Sequence, residues 1–295
     1  MELTSHNLFG TLPAIATPFS QDGSEVDYKS LEKLLEYQLK AGVNGIVVCG
    51  STGEAATLSA EEYRSVVKFV KESVSGKVPV IAGVGVNSTQ RGVELATLCS
   101  EIGVDGLLVV VPYYNKPPQQ GVLAHFETIK KATKLPIIAY NVPGRTACNL
   151  TASTLKTLAD NETIIGVKEA SGNMTQMMEY LSQTRSQIAV LSGEDNLVYS
   201  CMCSGGRGTI SASANVIPEL FVEVTDACRN HDYEKAMVAQ ERILPVFNVM
   251  FMETNPMPVK AALALKGVIA HDTMRLPLVP VAESTKAKIR EVLGL

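Results

Sequence analysis

The sequence predicts a (β/α)8 barrel with a small C-terminal helical extension, and three features support this fold class. Short apolar runs rich in β-branched residues alternate with longer segments of helical periodicity, which is typical of parallel strands joined by helices. About eight such units recur at intervals of roughly 25 to 35 residues. The length of 295 residues and the hydrophobic content of 46% suit one barrel with added helices.

Each predicted strand is a short apolar run bounded by Gly, Pro or Asn. Such boundaries are typical of buried parallel strands, because Gly and Pro interrupt regular hydrogen bonding. The eight predicted strands are Thr11–Ala16, Gly45–Cys49, Val78–Ala82, Gly106–Val110, Pro136–Tyr140, Ile164–Lys168, Ile188–Leu191 and Gly208–Ser211.

The segments between the strands carry helix signals. Ser59 and Ser88 each precede a turn of helix-forming residues, so we expect their hydroxyls to cap helix N-termini. Leu31, Leu34 and Leu35 recur at helical spacing and predict a helix face that packs on the barrel.

The C-terminal part of the chain differs in pattern from the rest. Strand signals stop after about Asn215, and helical patterns punctuated by prolines continue to the end of the sequence. We therefore predict a barrel over residues 1–230 and a helical extension over residues 231–295.

Charge and composition narrow the classes of function. The net charge of −4 offers no basic surface for nucleic acid or for an anionic membrane. We read no signal peptide and no membrane span, and we expect a cytoplasmic enzyme with reduced thiols, because none of the six cysteines stands in a C-x-x-C pair. The four histidines are scattered singly, so no metal site is predicted.

Polar residues stand directly after several predicted strands. In a barrel of parallel strands the active site lies at the carboxyl ends of the strands, so these residues are the candidates for chemistry. The candidates are Gly50-Ser-Thr-Gly-Glu54, Pro112-Tyr-Tyr-Asn115, Tyr140-Asn-Val-Pro-Gly-Arg145 and Lys168.

Lys168 ends the sixth predicted strand, at the mouth of an otherwise apolar barrel. Desolvation disfavours a charged ammonium, and the free amine that results is a nucleophile for a ketone carbonyl. The alternative is a structural lysine that extends to the barrel rim or pairs with Glu169. Tyr140 ends the neighbouring strand, where its hydroxyl can transfer protons to an imine-forming amine, unless it is only a core aromatic.

The remaining strand-end motifs have structural alternatives too. Ser51 and Thr52 offer hydroxyls and closely spaced N–H groups that can hold a carboxylate, although an ordinary capped turn has the same pattern. Arg145 can present a guanidinium to a second carboxylate, or can form a surface ion pair. Gly83-Val-Gly85 lacks the third glycine of a dinucleotide-binding motif and is expected to be a turn.

Taken together, these motifs resemble the dihydrodipicolinate synthase branch of the pyruvate-dependent class I aldolases. The resemblance runs from Leu12 to Leu293. Its most specific pieces are G-S-T-G-E (50–54), P-Y-Y-N (112–115), Y-N-V-P-G-R-T (140–146), G-V-K-E-A-S-G (166–172) and N-P-M-P-V-K (255–260).

The resemblance implies a Schiff-base condensation of pyruvate with L-aspartate 4-semialdehyde in diaminopimelate and lysine biosynthesis, without a cofactor. It implies that Lys168 forms the imine and that Tyr140 donates and accepts protons. Ser51 and Tyr114 complete the hydroxyl relay, with Tyr114 supplied across a dimer interface of a homotetramer. The substrate-binding groups that it implies are Thr52 for the pyruvate carboxylate, the backbone of Ile210 against pyruvate, and Arg145 for the semialdehyde.

Two departures from the family pattern matter. Ser51 stands where most synthases have threonine and where sialic acid lyases commonly have serine, whereas Arg145 favours the synthases. Arg91 and Ala60 stand where lysine-inhibited members carry a carboxylate and a histidine. A guanidinium repels an amine, so we expect weak or absent feedback inhibition by lysine.

Two other functions compete with this interpretation. An N-acetylneuraminate lyase or a 2-keto-3-deoxy sugar acid aldolase would keep the fold and the imine but change the substrate. A catalytically inactive barrel that binds a small carboxylate or a transcriptional partner is a different class, and it is disfavoured by the presence of Lys168, Tyr140, Ser51 and Thr52 together.

Overall fold

A computed structural model describes residues 2–185 and 187–295 and shows eight parallel strands in one closed sheet. Neighbouring strands follow the order β1-β8-β7-β6-β5-β4-β3-β2, and a parallel bridge from Ala14 to Val47 joins the two ends. The predicted barrel is therefore confirmed. The strands are β1 (Gly10–Pro13), β2 (Ile46–Val48), β3 (Val80–Val84), β4 (Gly106–Val110), β5 (Ile137–Asn141), β6 (Gly166–Glu169), β7 (Ala189–Ser192) and β8 (Gly208–Ser211).

The predicted strand positions are correct, and their ends differ for identifiable reasons. The bounds of β4 and β8 agree with the prediction. β3 and β5 begin directly after Pro79 and Pro136, because proline has no N–H to donate to a ladder. Gly83, expected in a turn, lies instead inside β3, where an added Cβ would be 2.3 Å from the carbonyl oxygen of Cys49. Close approach of two strands explains this glycine.

Helices surround the barrel and are capped largely as predicted. Ser59 forms a reciprocal capping box with Glu62, and the side chain of Ser88 accepts a hydrogen bond from the N–H of Arg91. The helices are α1 (Tyr28–Lys40), α2 (Ala60–Val74), α3 (Thr89–Ile102), α4 (Gln119–Lys131), α5 (Pro143–Thr146), α6 (Ala152–Asp160), α7 (Met174–Thr184), α8 (Val198–Cys203), α9 (Pro218–Arg229), α10 (Tyr233–Met250), α11 (Met257–Leu265) and α12 (Glu283–Leu293).

The core has two layers because side chains alternate across each strand. Ile138 and Tyr140 of β5 point into the barrel and pack with Ile210, Leu12 and other inward residues. Ile137 and Ala139, at the alternate positions, pack outward with the helices. The predicted stripe of α1, including Leu31, Leu34 and Leu35, is likewise buried in the outer layer.

The C-terminal helices pack on the barrel rather than apart from it. α9 is the eighth barrel helix and packs on β1, and α10 packs along α9. α11 carries Lys260, whose Nζ lies 2.7 Å from Oε1 of Glu54 with both side chains buried. Helix α9 ends at Arg229 and α10 begins at Tyr233, while the division into a barrel and an extension near residue 230 stays a prediction. None of the helices in the described residues is long and apolar enough to cross a membrane.

We expect the Lys260→Met variant to be destabilised by about 3–5 kcal/mol, because it leaves the carboxylate of Glu54 buried and unpaired. Adding Glu54→Gln should restore much of the loss, since an amide carries no charge into the core. The free energy of unfolding in urea measures both effects. Lys286→Met, which breaks a half-buried pair with Asp272, is the matched control and should cost at most about 1 kcal/mol. Equal losses for the two lysine variants would contradict the expectation.

Candidate active site

The carboxyl ends of β5 and β6 bring Tyr140 and Lys168 together inside the barrel. The two residues are register partners in the ladder between these strands. Both side chains are buried, and Nζ of Lys168 lies 4.3 Å from the centroid of the Tyr140 ring. The structure therefore places the predicted nucleophile and the predicted proton donor side by side.

The outward residues of the same two strands hold this register. Asn141 and Glu169 are also partners across the ladder, and Nδ2 of Asn141 donates to Oε2 of Glu169 over 2.9 Å. The backbone N–H of Ser171 donates to Oε1 of Glu169 over 2.8 Å, and Nε2 of Gln176 adds two longer bonds to the same carboxylate. Glu169 is thus bound outside the barrel wall, and the ion pair with Lys168 considered from the sequence does not form.

The space next to Lys168 is restricted by a glycine after β7. A Cβ on Gly193 would lie 2.9 Å from Cε of Lys168 and 3.0 Å from the carbonyl oxygen of Glu169. A larger residue at this position would displace the lysine side chain. The absence of a side chain here leaves room for the side chain of Lys168.

A cavity of about 330 Å³ lies at the mouth of the barrel, a size suited to a small metabolite. Ser51, Tyr140 and Arg145, all predicted as site residues, line it, together with Tyr113 and Asn255. Thr52 is buried, with 3% of its surface exposed, and lies behind this wall. Three strand-end motifs of the sequence thus converge on one cavity.

The loop that follows β2 is a tight turn. The N–H of Gly53 donates to the carbonyl of Gly50 over 3.1 Å, and the N–H of Glu54 donates to the carbonyl of Ser51 over 3.2 Å. Glu54 has a φ of 49°, in the left-handed region that few non-glycine residues adopt. Its carboxylate bonds to Lys260, so the buried ion pair holds the strained turn in place.

Arg145 lies on the single turn of α5, above the cavity. Its Nη2 donates to the backbone carbonyl of Asn255 over 3.0 Å, and part of the side chain remains exposed. A guanidinium has five N–H donors, so this contact leaves several for a ligand. The position fits the predicted role of receiving a second carboxylate at the mouth.

Tyr114 and Ile210 differ in how the single chain places them. Ile210, in β8, is fully buried in the inner layer with Tyr140. Tyr114 is 87% exposed and has a φ of 71°, while its neighbour Tyr113 lines the cavity. Within the described chain, Tyr114 is therefore not brought to Ser51 and Tyr140.

Sequence reasoning did not select Glu194 and Asp195, which follow β7. Burial, followed by the charge of Asp195, raises the pKa of Glu194 to about 7, although the charges of Lys168 and Arg145 oppose this shift. Burial is also the main cause that raises the pKa of Asp195, whose Oδ2 accepts from the N–H of Ser213 over 2.9 Å. The rule that selected Lys168, polar residues just past a strand, would have found this pair as well.

Comparisons with known proteins show what the chain resembles over nearly its whole length. The model of the Dihydrodipicolinate synthetase family matches residues 7–294. The chain is 45% identical to the 4-hydroxy-tetrahydrodipicolinate synthase of Methanopyrus kandleri, over 96% of this chain and 95% of that protein.

Solved structures of related enzymes have the same fold. The chloride-inhibited dihydrodipicolinate synthase from Acinetobacter baumannii complexed with pyruvate superposes with a TM-score of 0.95 at 40% identity, covering 97% of this chain and 98% of that one. The enzyme from Cyanidioschyzon merolae with lysine bound has a TM-score of 0.94 at 38% identity and covers 97% of both chains. The likeness thus extends over nearly the whole length of each protein.

We expect Glu194→Gln to stabilise the protein at pH 8 and to have little effect at pH 5. A carboxyl whose pKa rises on folding from 4.5 to about 7 loses stability as pH increases through that interval, because the folded state resists ionisation. The amide of the Glu194→Gln variant does not ionise, so at pH 8 the variant should gain about 1–2 kcal/mol in free energy of unfolding, after allowance for the partial exposure of Glu194. Urea unfolding at the two pH values measures the difference. Glu241→Gln, at an exposed site on α10, is the control; a pH-independent effect of Glu194→Gln would refute the assignment.

Proposed function

The chain belongs to the Dihydrodipicolinate synthetase family over almost its whole length, and on that premise we propose that it is a 4-hydroxy-tetrahydrodipicolinate synthase. This lyase condenses pyruvate with L-aspartate 4-semialdehyde through a Schiff base on Lys168. The placement of the Lys168 amine 4.3 Å from the Tyr140 ring, inside the barrel mouth, is the observation that carries the proposal.

The proposed condensation uses the amine of Lys168 as the nucleophile and the phenol of Tyr140 as the group that transfers protons. Nζ of Lys168 adds to the ketone carbon of pyruvate, and loss of water leaves a protonated imine. The imine withdraws electrons, so the methyl group loses a proton to the hydroxyl relay and becomes an enamine. The enamine carbon attacks the aldehyde of the second substrate, whose oxygen takes up a proton, and the imine to Lys168 is restored. The amino group of the semialdehyde then adds to the imine carbon and displaces Nζ of Lys168, which closes the ring and releases the product. Tyr140 lies beside the nitrogen and moves the protons of carbinolamine and imine formation. The protonated imine itself is the electron sink, so the reaction needs no further cofactor.

The other predicted residues take complementary roles in the proposal. Ser51 lines the cavity beside Tyr140 and continues the proton relay. Thr52 binds the carboxylate of pyruvate with its hydroxyl and backbone, and the backbone of Ile210 lies against the bound substrate. Arg145 binds the carboxylate of the semialdehyde at the cavity mouth, where its free N–H groups are available.

The comparisons favour the synthase over a sugar acid aldolase. The relative from Methanopyrus kandleri is named as a synthase, and the Acinetobacter baumannii structure is a synthase with pyruvate. Arg145, which supported the synthase interpretation in the sequence, lies at the cavity as that role requires. Ser51 keeps the hydroxyl of the relay, so its difference from threonine does not weaken the proposal.

A homotetramer built from two tight dimers completes the proposed enzyme. The family resemblance implies this assembly, and the 87% exposure of the Tyr114 side chain in the single chain is consistent with a contact across the dimer interface. In the proposed dimer its hydroxyl enters the partner's relay, next to Ser51 and Tyr140. A cytoplasmic location, where the free thiols stay reduced, belongs to the same proposal.

Weak or absent feedback by lysine is the last part of the proposal. Arg91 and Ala60 line a shallow surface depression, and Nη1 of Arg91 pairs with Oε2 of Glu94 over 2.8 Å. Arg91 and Ala60 also line a neighbouring cavity with Tyr113, whose described lining residues include no carboxylate, and a guanidinium there disfavours the ammonium of lysine. In this respect we expect the chain to differ from its relative in Cyanidioschyzon merolae, which was solved with lysine bound.

Incubation with pyruvate and borohydride should attach one reduced pyruvate to Lys168, because reduction fixes the imine as a stable amine. Peptide mass mapping locates the adduct, and Lys168→Ala should give none. Lys156→Arg, at a partly exposed lysine on α6, is the control that should label normally. Condensation with aspartate semialdehyde and cleavage of sialic acid are then assayed on the same protein. An unlabelled wild-type protein would refute the mechanism, and sialic acid cleavage alone would refute the substrate.

Titration with lysine at subsaturating pyruvate should leave the condensation rate nearly unchanged, because Arg91 repels the effector's amine. The Arg91→Glu variant reverses the charge and should gain measurable inhibition. Arg64→Glu, which lies in the same depression, tests whether any charge reversal there has that effect. Strong inhibition of the wild-type protein would contradict the expectation.

A further inference from the structure

Asn255 contacts two of the substrate-binding residues at once. It lies between α10 and α11, outside the barrel strands, and only 6% of its surface is exposed. Its Nδ2 donates to Oγ1 of Thr52 over 3.0 Å, and its backbone carbonyl accepts from Nη2 of Arg145 over 3.0 Å. It also lines the cavity. One residue of the C-terminal helices thus connects the base of the site to its mouth.

The direction of the Thr52 bond determines what that hydroxyl can do. A hydroxyl has one hydrogen and two acceptor lone pairs. Because Oγ1 of Thr52 accepts from the amide of Asn255, its own hydrogen stays available for another acceptor. A carboxylate is an acceptor only, so a hydroxyl held as a donor is the form that can bind it.

The other end of the Asn255 side chain indicates that the amide is not there for structural reasons alone. Among the residues described, its Oδ1 is buried and has no hydrogen-bond partner. An unsatisfied buried carbonyl destabilises a protein, so a purely structural asparagine would satisfy both ends of its amide. The Asn255 amide donates to Thr52 even though its own oxygen, at the cavity wall, has no partner among the residues described.

We propose that Asn255 is a positioning residue, which holds the hydroxyl of Thr52 as a donor to the carboxylate of the keto acid. The proposal rests on the proposed function, in which Thr52 binds that carboxylate. Arg145 bonds to the backbone carbonyl of Asn255 and not to its side chain. Replacing the Asn255 side chain therefore removes the hydrogen bond to the Thr52 hydroxyl and leaves the contact with Arg145 in place. Asn255 therefore affects binding of the keto acid and not the reactivity of Lys168.

The test compares two ketones in borohydride trapping. Pyruvate carries the carboxylate that Thr52 binds, and acetone has the ketone alone. For Asn255→Ala we expect about a tenfold rise in the pyruvate concentration that half-saturates labelling, the loss expected for one charge-assisted hydrogen bond. Labelling by acetone should be unchanged. In steady-state assays the KM for pyruvate should rise with little change in kcat.

A double-mutant cycle identifies the route of the effect. Thr52→Val removes the hydroxyl, and adding Asn255→Ala to it should cause no further loss of pyruvate affinity. Asn255→Asp keeps the shape of the side chain but cannot donate a hydrogen bond, so it should lower the affinity for pyruvate at least as much as Asn255→Ala does. It provides the test if the alanine variant folds poorly. Asn161→Ala, at an exposed asparagine after α6, is the control and should match the wild type.

Three outcomes would overturn the proposal. They are an equal loss of labelling by pyruvate and by acetone, additive losses of pyruvate affinity in the double-mutant cycle, and an unchanged pyruvate affinity in Asn255→Ala. Failure of the proposed function has a different signature, because the wild-type protein itself would then form no adduct with pyruvate. Labelled wild-type protein with unaffected Asn255 variants would refute only the positioning role.

Discussion

The hydrogen-bonded register between β5 and β6 is the constraint on which the site depends. Side chains alternate along a strand, so a shift of one residue would turn Tyr140 or Lys168 out of the barrel and bring Asn141 or Glu169 in. The bond between Asn141 and Glu169 opposes such a shift from the outside. The buried carboxylate of Glu169 therefore accepts hydrogen bonds from the neutral groups of Asn141, Ser171 and Gln176. It does not form an ion pair with Lys168. The polar contacts outside the barrel wall and the placement of Tyr140 next to Lys168 inside it both follow from the register of one ladder.

The sequence predicted the barrel because its evidence is local. Each strand is a short apolar run, and each helix has its own cap, as at Ser59 and Ser88. The predicted starts of β3 and β5 were too early, because Pro79 and Pro136 have no N–H to donate to the ladder. Gly83 was misjudged because its requirement is not local: the backbone of Cys49 and Gly50, directly after β2, excludes a side chain there.

The sequence predicted those site residues that directly follow a strand. It did not predict features that depend on contacts between distant segments of the chain. Lys168, Tyr140, Ser51 and Arg145 follow strands, so strand position alone brought them to one end of the barrel. Glu194 also follows a strand, but its environment depends on burial and on the charges of Asp195, Lys168 and Arg145, which no spacing in the sequence reveals. Tyr114 is exposed in the single chain, and the relay role proposed for it requires a partner whose surface the sequence does not describe.

The C-terminal helices act as a second support for the active site. A barrel fixes the strands, but the loops beyond them carry the polar groups and need other contacts to become rigid. Lys260 holds the strained turn at Glu54, and Asn255 holds Thr52 and Arg145, which otherwise extend from separate loops. All of these contacts come from residues 255–260, so one short segment contacts both the turn after β2 and Arg145 at the cavity mouth. A substitution in this segment therefore changes the contacts of the loops at the barrel mouth without touching a barrel strand, so the C-terminal helices and these loops form one packed unit.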